Sequence, residues 1–300
     1  MPETSSRVRV PASSANLGPG FDALGLGLDI YLECRFRVDS TLTIRVTGRD
    51  AHTISTGSDN LIWKTAVGIA SHVGVIMPPI ALEIANDIPI GKGLGSSAAA
   101  LTAGVVIANE VLGLQWDRHR ILDEAAKIEG HPDNVAACVL GAIVASAIDS
   151  EGKARAVRLD LNAHYGVAVV VPDYVLSTSK AREVLPTTYS RADAVFNVQR
   201  SALLIVALAT GVTSAFPTAL EDRMHQPYRF PLVPGLEEIA KLRAPGLLGC
   251  ALSGAGPSIL VFHERGHEEV CEQVRGVFKA HGRDSEIVCR GIAHDGYEVS

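Results

Sequence analysis

The sequence predicts an α+β protein in which strands and helices are mixed along both halves of the chain. Short runs rich in valine and isoleucine, each bounded by turn residues, predict strands. Longer segments carry apolar residues at i, i+3 and i+4, a spacing that places them on one face of a helix. A length of 300 residues fits one large domain or two of ordinary size. We therefore expect an α+β sandwich with a core of substantial size.

The first half of the chain alternates predicted strands and helices. Strands are predicted at residues 8–11, 29–38, 42–46, 80–85 and 142–148. Asp59 and Asn60 precede the first helix as N-cap residues, and Ser96 and Ser97 open the second. Because the second helix is apolar almost all round, we expect it at the centre of the core. A third helix, over residues 117–128, ends at Gly130.

A polar stretch at residues 149–153 suits a hairpin or a domain boundary. We place the division near residue 155, which gives domains of residues 1–155 and 156–300. The second domain contains predicted strands at 167–171, 249–252, 258–262 and 287–290, and predicted helices at 180–184, 193–209, 236–242 and 268–281. Residues 201–220 carry no charge and approach the length of a membrane span, but their polar and turn residues favour a buried helix followed by a turn.

Composition and charge favour a small-molecule partner. Hydrophobic residues make up 47% and charged residues 20%, values near globular averages that exclude a disordered chain. A net charge of −6 without a basic block provides no electrostatic footprint for nucleic acid or an anionic membrane. The five cysteines are scattered without a C-x-x-C pair, and the N-terminus lacks the apolar stretch of a secretory signal. We therefore expect reduced thiols and a cytoplasmic location.

The strongest local motif is a glycine-rich loop that leads into the second helix. Glycines let a backbone approach a ligand closely, and the helix N-terminus adds partial positive charge, so the loop favours an anion such as phosphate. It is neither the G-x-x-x-x-G-K-[ST] loop nor a G-x-G-x-x-G fingerprint. The alternative is a turn that packs closely on a neighbouring element. The residues of the motif are Pro89, Ile90, Gly91, Lys92, Gly93, Leu94, Gly95, Ser96, Ser97, Ala98 and Ala99.

Two further clusters combine carboxylates with amides. Asn16 and Asp22 lie in a loop of small residues after the first strand, where they either wrap a polar ligand or stabilise the turn. Residues 129–134, with the sequence EGHPDN, bring Glu129, His131 and Asn134 together at a helix end. Carboxylate oxygens suit Mg²⁺, so Glu129 is a candidate ligand. The alternative is a turn that caps a following helix.

Two arginines in the second half are candidates for binding a carboxylate. Arg182 lies four residues after Thr178, so both share a helical face, and Arg229 follows in a separate segment. The alternative is that each is a solvated side chain. The segment LSGAGPS, at residues 252–258, joins two predicted strands and is explained by a hairpin alone.

Taken in order, these clusters resemble the GHMP kinase superfamily over the whole chain. PASSANLGPGFDALG, PIGKGLGSSAAA, EGHPDN and LSGAGPS are similar to the motifs of its homoserine kinase family in particular. The resemblance implies an N-terminal domain like domain 2 of ribosomal protein S5 and a C-terminal ferredoxin-like domain. It further implies phosphoryl transfer from ATP, with Mg²⁺, to the side-chain hydroxyl of L-homoserine in threonine biosynthesis, and a homodimer.

The resemblance also implies roles for individual residues. The glycine-rich loop would wrap the phosphates, with adenine near Asn60. Ser97 and Glu129 would hold Mg²⁺, with Glu124 as a fallback ligand, and Lys92 would have a supporting role at most. Asp22 would bind the ammonium and Arg182 with Arg229 the carboxylate of the substrate. The implied substrate-binding residues are Asn16, Asp22, His131, Asn134, Thr178, Arg182 and Arg229. The implied catalytic residues are Ser97, Glu129 and Asn134.

One departure within the superfamily bears on mechanism. Mevalonate and galactose kinases have an aspartate as candidate base where this sequence aligns Asn134, as homoserine kinases do. An uncharged amide cannot accept the hydroxyl proton. We therefore expect catalysis without a carboxylate base, by alignment and by Mg²⁺ and dipole stabilisation of a loose transition state.

Three alternatives stay open from the sequence. The first is another kinase of the superfamily, acting on mevalonate, a sugar or shikimate, although two arginines and Asp22 favour a zwitterion. The second is a nucleotide or metabolite sensor without turnover on the same fold. The third is a nucleic-acid module, which the acidic net charge disfavours.

Overall fold

The computed structural model describes residues 5–159, 165–289 and 291–300, which form two β-sheets covered by helices. The strands are β1 (Ser6–Ala15), β2 (Leu24–Val38), β3 (Thr43–Gly48), β4 (Ile80–Asn86), β5 (Ile143–Ile148), β6 (Ala154–Leu159), β7 (Tyr165–Pro172), β8 (Leu247–Leu252), β9 (Ile259–Glu264), β10 (Ser285–Cys289) and β11 (Glu298–Val299). The helices are α1 (Leu61–His72), α2 (Ser96–Leu112), α3 (Arg118–Glu129), α4 (Asp133–Leu140), α5 (Thr178–Glu183), α6 (Arg191–Thr210), α7 (Phe216–Ala219), α8 (Gln226–Arg229), α9 (Leu236–Lys241) and α10 (Cys271–Ala280).

The first sheet has seven strands and is organised around the long strand β2. Its path is β11-β1-β2-β4-β3, with β3 and β4 parallel. The other end of β2 pairs with β5, which pairs in turn with β6. Helix α2 packs against β1, α1 and α3 and buries residues on every side, as its uniformly apolar sequence predicts. The first sheet and α2 therefore form the framework from which the glycine-rich loop projects.

The second sheet has four strands in the order β10-β7-β9-β8, all antiparallel. Alternate residues of β7 face two different hydrophobic clusters. Val167 and Val169 join the large cluster shared with the first sheet, whereas Ala168 and Val170 join the cluster under α9 and α10. Burial on both faces explains why the strand is a continuous apolar run, since neither face meets water. The predicted α+β class is confirmed.

The chain crosses between the two sheets in a way that bears on the domain division. Strand β6 pairs with β5 through Leu159, so the first sheet continues past residue 155. Strand β11, at the C-terminal end, returns to β1 and pairs Val299 with Val8. We propose that the first unit comprises residues up to Leu159 together with the last strand, because backbone pairing joins these segments.

Several elements differ from the sequence-based expectations. Strand β6 and the short helices α7 and α8 were not expected, since each is brief and lacks a clear periodicity. The end of the predicted strand at residues 287–290 falls on residue 290, outside the described residues. Helix α6 is present, but only Asn197, Leu204, Ala207 and Leu208 are buried, so the expected buried helix is wrong. By length and composition α6 is apolar enough to cross a membrane. This is weak evidence for a membrane span, because the core helices of soluble proteins pass the same test.

Candidate active site

A cavity of about 260 Å³ opens where the two sheets meet. The first sheet contributes the loop after β1, the glycine-rich loop and the turn between α3 and α4. The second unit contributes the segment before and within α5, the residue Arg229 at the end of α8, and the turn after β8. Sequence segments up to 238 residues apart are therefore joined in one site, as the hydrogen bond from Asn16 to Gly254 shows.

The glycine-rich loop is held so that its carbonyl oxygens are occupied. The carbonyls of Gly91, Lys92 and Gly93 accept hydrogen bonds from Leu176, Ser258 and Ser253 of the second unit. Because the second unit satisfies these carbonyl oxygens, the groups that the loop backbone can still offer to a ligand are N–H donors, which bind anions. The unpaired N–H groups of the first turn of α2 add further donors. This arrangement suits a phosphate.

Two glycines of the loop are required by close packing as well as by conformation. Gly93 has φ +77°, and a Cβ there would lie 2.2 Å from the Ser253 carbonyl oxygen. Gly95, the N-cap of α2, has φ +65°, and a Cβ there would meet the hydroxyl of Ser13. The packing interpretation of the glycines is therefore correct, and it coexists with an anion-binding geometry.

Lys92 does not face the cavity. Its ammonium donates to the carbonyl oxygens of Pro172 and Tyr174, both at 2.8 Å, and burial lowers its pKa. Pro89, Ala98 and Ala99 are buried, and none of them lines the cavity. The side chains of these four motif residues therefore support the loop, and any contact of Ala98 with a nucleotide would be made by its backbone N–H at the start of α2.

Ser97 and Glu129 meet in the wall of the cavity. The Ser97 hydroxyl lies 3.4 Å from Oε2 of Glu129. Adjacent ligands of an octahedral Mg²⁺, each at about 2.1 Å from the ion, stand roughly 3 Å apart, so this pair fits a shared ion. Burial raises the pKa of Glu129, and a bound cation would favour its ionised form. The fallback ligand Glu124 instead pairs with Arg120 and Lys127 on α3 and does not line the cavity.

Besides Glu129, the EGHPDN turn brings three polar side chains to the cavity, those of His131, Asp133 and Asn134. Asp133, which is buried, accepts from His131 Nδ1 at 2.7 Å and from the backbone and side-chain nitrogens of Asn134. Burial alone would lower the pKa of His131, but the carboxylates of Asp133, Glu129 and Asp22 together outweigh burial, and the net pKa is raised. The alternative interpretation of this turn, a cap for the following helix, is wrong, because α4 begins at Asp133 without a side-chain cap.

Asp22 and Arg182 form a two-pronged ion pair across the cavity. Nη2 and Nη1 of Arg182 donate to the two carboxylate oxygens of Asp22 at 2.7 and 3.2 Å. This geometry is the strong, bidentate form of the interaction, and both side chains are partly exposed. A carboxylate and a guanidinium that line the same cavity match the two charged ends of an amino acid.

Arg229 and Asn16 form the inner wall of the site. Arg229 is 2% exposed, and burial lowers its pKa to about 10. The Asn16 amide donates to the Gly254 carbonyl and accepts from the backbone of Asp22, so it shapes the loop in the way that the turn-stabilising interpretation predicts. Thr178, the first residue of α5, completes the predicted set around the cavity.

A second, more apolar cavity of about 340 Å³ adjoins the first and shares Ile90, Ser96 and Ser97 with it. Its wall includes Asn60, whose side chain is fully engaged: it caps α1 by accepting from Ile62 and Trp63 and donates to the Ser55 carbonyl. A flat aromatic base suits such a cavity. Asn60 therefore shapes the cavity instead of offering free polar atoms to a base.

Two contributors to the site were not found from the sequence. Phe21 lies between the two guanidiniums, 5.6 Å from that of Arg182 and 5.7 Å from that of Arg229. His225, buried behind Phe21, stacks on its ring at 5.2 Å. The position of Phe21 inside the loop motif was a usable signal, whereas nothing in the sequence around His225 indicates the site.

Comparisons with known proteins agree with this geometry. The models of the GHMP kinases N terminal domain and the GHMP kinases C terminal match residues 60–142 and 204–280. The homoserine kinase of Solibacter usitatus is 66% identical, covering 98% of this chain and 96% of that protein. The homoserine kinase of Deinococcus radiodurans is 47% identical, covering 86% and 84%. The chain belongs to the homoserine kinase family.

Solved structures support the same assignment. The crystal structure of homoserine kinase from Cytophaga hutchinsonii has a TM-score of 0.86 at 27% identity, covering 100% of this chain and 98% of that one. The mevalonate diphosphate decarboxylase of Staphylococcus aureus, at 14% identity and a TM-score of 0.70 with 99% and 98% covered, shares the fold. The predicted GHMP kinase architecture and the predicted enzyme class are thus confirmed for this chain.

Proposed function

We propose that this chain transfers the γ-phosphoryl group of ATP to the side-chain hydroxyl of L-homoserine, yielding O-phospho-L-homoserine for threonine synthesis. The observation that carries the proposal is a single cavity that joins an anion-binding loop to charged groups of both signs. Asp22 lies in it with Arg182 and Arg229, so the ammonium and the carboxylate of an amino acid each have a partner. The adjoining apolar cavity accommodates the base of the nucleotide.

Substrate binding in this proposal exchanges one ion pair for two. In the structure Asp22 and Arg182 neutralise each other, with Nη2 of Arg182 lying 2.7 Å from Oδ1 of Asp22. A zwitterion can separate them because its ammonium replaces the guanidinium at Asp22 and its carboxylate replaces Asp22 at Arg182. A ligand with one charge would leave either Asp22 or Arg182 unpaired, a loss that disfavours mevalonate and shikimate, and uncharged galactose could replace neither partner of the pair.

The proposed chemistry depends on alignment and charge stabilisation. The glycine-rich loop and the N-terminus of α2 hold the phosphates, and Ser97 with Glu129 would hold Mg²⁺, which stabilises charge on the phosphates when bound. Each carboxylate of the cavity has another partner: Asp22 faces Arg182, Glu129 faces Ser97, and Asp133 accepts from His131 and Asn134. We therefore propose that the hydroxyl proton leaves late, to a phosphate oxygen.

The test is a coupled ADP-release assay with ATP and Mg²⁺. The acceptors are L-homoserine, L-threonine, L-serine, mevalonate, galactose and shikimate. A strong preference for L-homoserine is expected. Comparable turnover of a sugar or mevalonate would refute the proposed acceptor, and ATP binding without turnover of any acceptor would favour a sensor. The proposed location of this reaction is the cytoplasm, because the five cysteines are scattered without a C-x-x-C pair, as expected for reduced thiols.

We further propose that two copies associate through α6. Val195, Val198, Ala202 and Val206 recur at helical spacing on its exposed side, with Val198 70% and Val206 58% exposed. Val198 and Val206 lie four residues either side of Ala202, so a twofold axis at Ala202 would place each against the other in the partner copy. Such self-complementarity is what a twofold interface requires.

Light scattering after size exclusion tests this association. Val198→Asp is expected to shift the molecule to a monomer, whereas Val198→Asp combined with Val206→Lys should restore the dimer, because the new charges would face each other across the axis. Ile76→Asp, a change at another strongly exposed apolar residue away from α6, is the control. A monomeric unmodified chain would refute the proposal.

A further inference from the structure

His225 is a buried imidazole that joins two parts of the proposed substrate site. It precedes α8, and both its side chain and that of Asp222 are fully buried. One ring nitrogen, Nδ1, lies 3.0 Å from Nη1 of Arg229. The other, Nε2, lies 2.6 Å from the carbonyl oxygen of Gly18, in the loop that carries Asn16 and Asp22. A single side chain thus connects the inner guanidinium with the opposite wall of the cavity.

The neighbours of His225 determine its tautomer. The Gly18 carbonyl can only accept, so Nε2 carries the proton and donates it. The guanidinium of Arg229 can only donate, so Nδ1 must accept from it. Protonation of the ring would leave two donors face to face at Nδ1. The imidazole is therefore held neutral, and burial lowers the pKa of His225 in the same direction.

Asp222 holds His225 and its neighbouring residues in place. Its carboxylate accepts from the backbone nitrogens of Met224, His225 and Gln226, and one oxygen lies 3.4 Å from Nε2 of His225. Asn197 of α6 donates both to Asp222 and to the Pro19 carbonyl, next to Gly18. The segment that carries His225 is thereby fixed relative to the loop after β1.

The contacts of Arg229 leave part of its guanidinium available to a ligand. Nε donates to the Ala181 carbonyl at 3.0 Å, and Nη1 meets His225 and the Gly254 carbonyl at 3.0 and 3.1 Å. Nη2 has no hydrogen-bond partner among the described residues, and Arg229 lines the cavity. The two N–H groups of Nη2 are the donors that a substrate carboxylate can use.

We propose that His225 is a positioning residue that fixes the Arg229 guanidinium for the substrate carboxylate, by accepting from Nη1 while donating to the Gly18 carbonyl. The proposal rests on the proposed acceptor, an amino acid whose carboxylate meets Arg229. It makes the acceptor nitrogen Nδ1 the decisive atom, because that contact sets the rotation of the guanidinium plane. The donor Nε2 instead ties the imidazole to the loop.

Two substitutions separate the two halves of this contact. In His225→Asn the side-chain oxygen lies where Nδ1 was and keeps the acceptor for Arg229. In His225→Gln the amide nitrogen lies where Nε2 was and keeps the donor for Gly18. The readout is kcat/KM for L-homoserine relative to 3-aminopropan-1-ol, which is homoserine without its carboxylate. We expect this ratio to fall roughly 10-fold or more in His225→Gln and to stay within about 3-fold in His225→Asn.

The alternatives give different results. Equal loss of activity with both substrates in both variants would mean a purely structural role and would overturn the inference. A parent enzyme that uses L-homoserine no better than 3-aminopropan-1-ol would instead refute the carboxylate role of Arg229, and with it the proposed function. KM for ATP is expected to stay unchanged in either variant, and thermal unfolding shows that each is folded. If His225→Gln fails to fold, His225→Asn decides alone, and a fall of its ratio by roughly 10-fold or more overturns the proposal.

Discussion

At the scale of single residues, the cavity differs from a solvated surface because nearly every charge in it already has a partner. Asp22 pairs with Arg182, and Asp133 accepts from His131 and from the amide of Asn134. A charge that is satisfied by the protein is a poor base, since proton uptake would break its contacts. The residues of the cavity are therefore suited to positioning and charge stabilisation.

Glu129→Gln is expected to lower turnover on the order of 10²-fold and to weaken its dependence on Mg²⁺ concentration. The change keeps the size of the side chain but removes the negative charge that faces Ser97. Steady-state rates across a Mg²⁺ titration measure the effect. Glu124→Gln is the matched control, because that carboxylate lies outside the cavity. Unchanged Mg²⁺ dependence in Glu129→Gln would remove Glu129 from the metal site.

Asn134→Asp is expected to leave turnover unchanged or reduced, by up to about 10-fold. A second carboxylate would replace the amide that donates to Asp133 at 3.2 Å, so two negative groups would repel each other. Single-turnover phosphoryl transfer measures the chemical step directly. An increase of several-fold would show that the enzyme lacks only a base, and the mechanism without one would be wrong.

At the scale of elements, the glycine-rich loop belongs structurally to both units. It leads into α2 of the first unit, yet its carbonyl oxygens accept hydrogen bonds from Leu176, Ser253 and Ser258 of the second. The LSGAGPS segment, which a hairpin alone would explain, therefore acts as a support for the loop. Its small residues allow this close approach, since a Cβ at Gly93 would overlap the Ser253 carbonyl.

Lys92→Met is expected to raise KM for ATP by about 3- to 10-fold and to lower the free energy of unfolding by about 1 to 3 kcal/mol. The substitution keeps the length of the side chain but leaves the Pro172 and Tyr174 carbonyls without their donor. Initial rates and urea unfolding measure the two effects. Lys279→Met, at an exposed position of α10, is the control. A normal KM for ATP would mean that the loop does not need this support.

At the scale of the whole molecule, the site exists only where the two sheets meet. The loop after β1 and the glycine-rich loop come from the first unit, whereas α5 and Arg229 come from the second. The large hydrophobic cluster also crosses this junction, from the first sheet to Phe216 and Phe262. A shared core of this kind holds the two halves of the site at a fixed separation.

L-homoserine is expected to slow amide hydrogen exchange in both units at once. The ligand would contact the loop at residues 16–22 and helix α5, which lie on opposite sides of the cavity. Mass spectrometry of exchanged peptides measures the protection, and α10, remote from the cavity, is the internal control. Protection of the first unit alone would contradict a substrate held by Arg182 and Arg229.

Much of the site was predictable because short motifs carry its chemistry. The glycine-rich loop, Asp22, Glu129, Arg182 and Arg229 were all identified from the sequence, and all line the cavity except the supporting loop residues. Helices with caps were equally clear, as the N-cap at Asn60 shows. The short elements α7 and α8 carried no such signal, because four residues do not complete a periodic pattern.

By itself the sequence determined the fold class, the order of the main elements and the residue types of the site, since periodicity and turn chemistry act over short stretches of chain. Only the tertiary structure decided which atoms those residues offer. Lys92 faces away from the cavity toward Pro172, and His225, without a motif, meets Arg229. The physical reason is that contacts of this kind join segments that are distant in the chain. A short stretch of sequence carries no signal for such contacts.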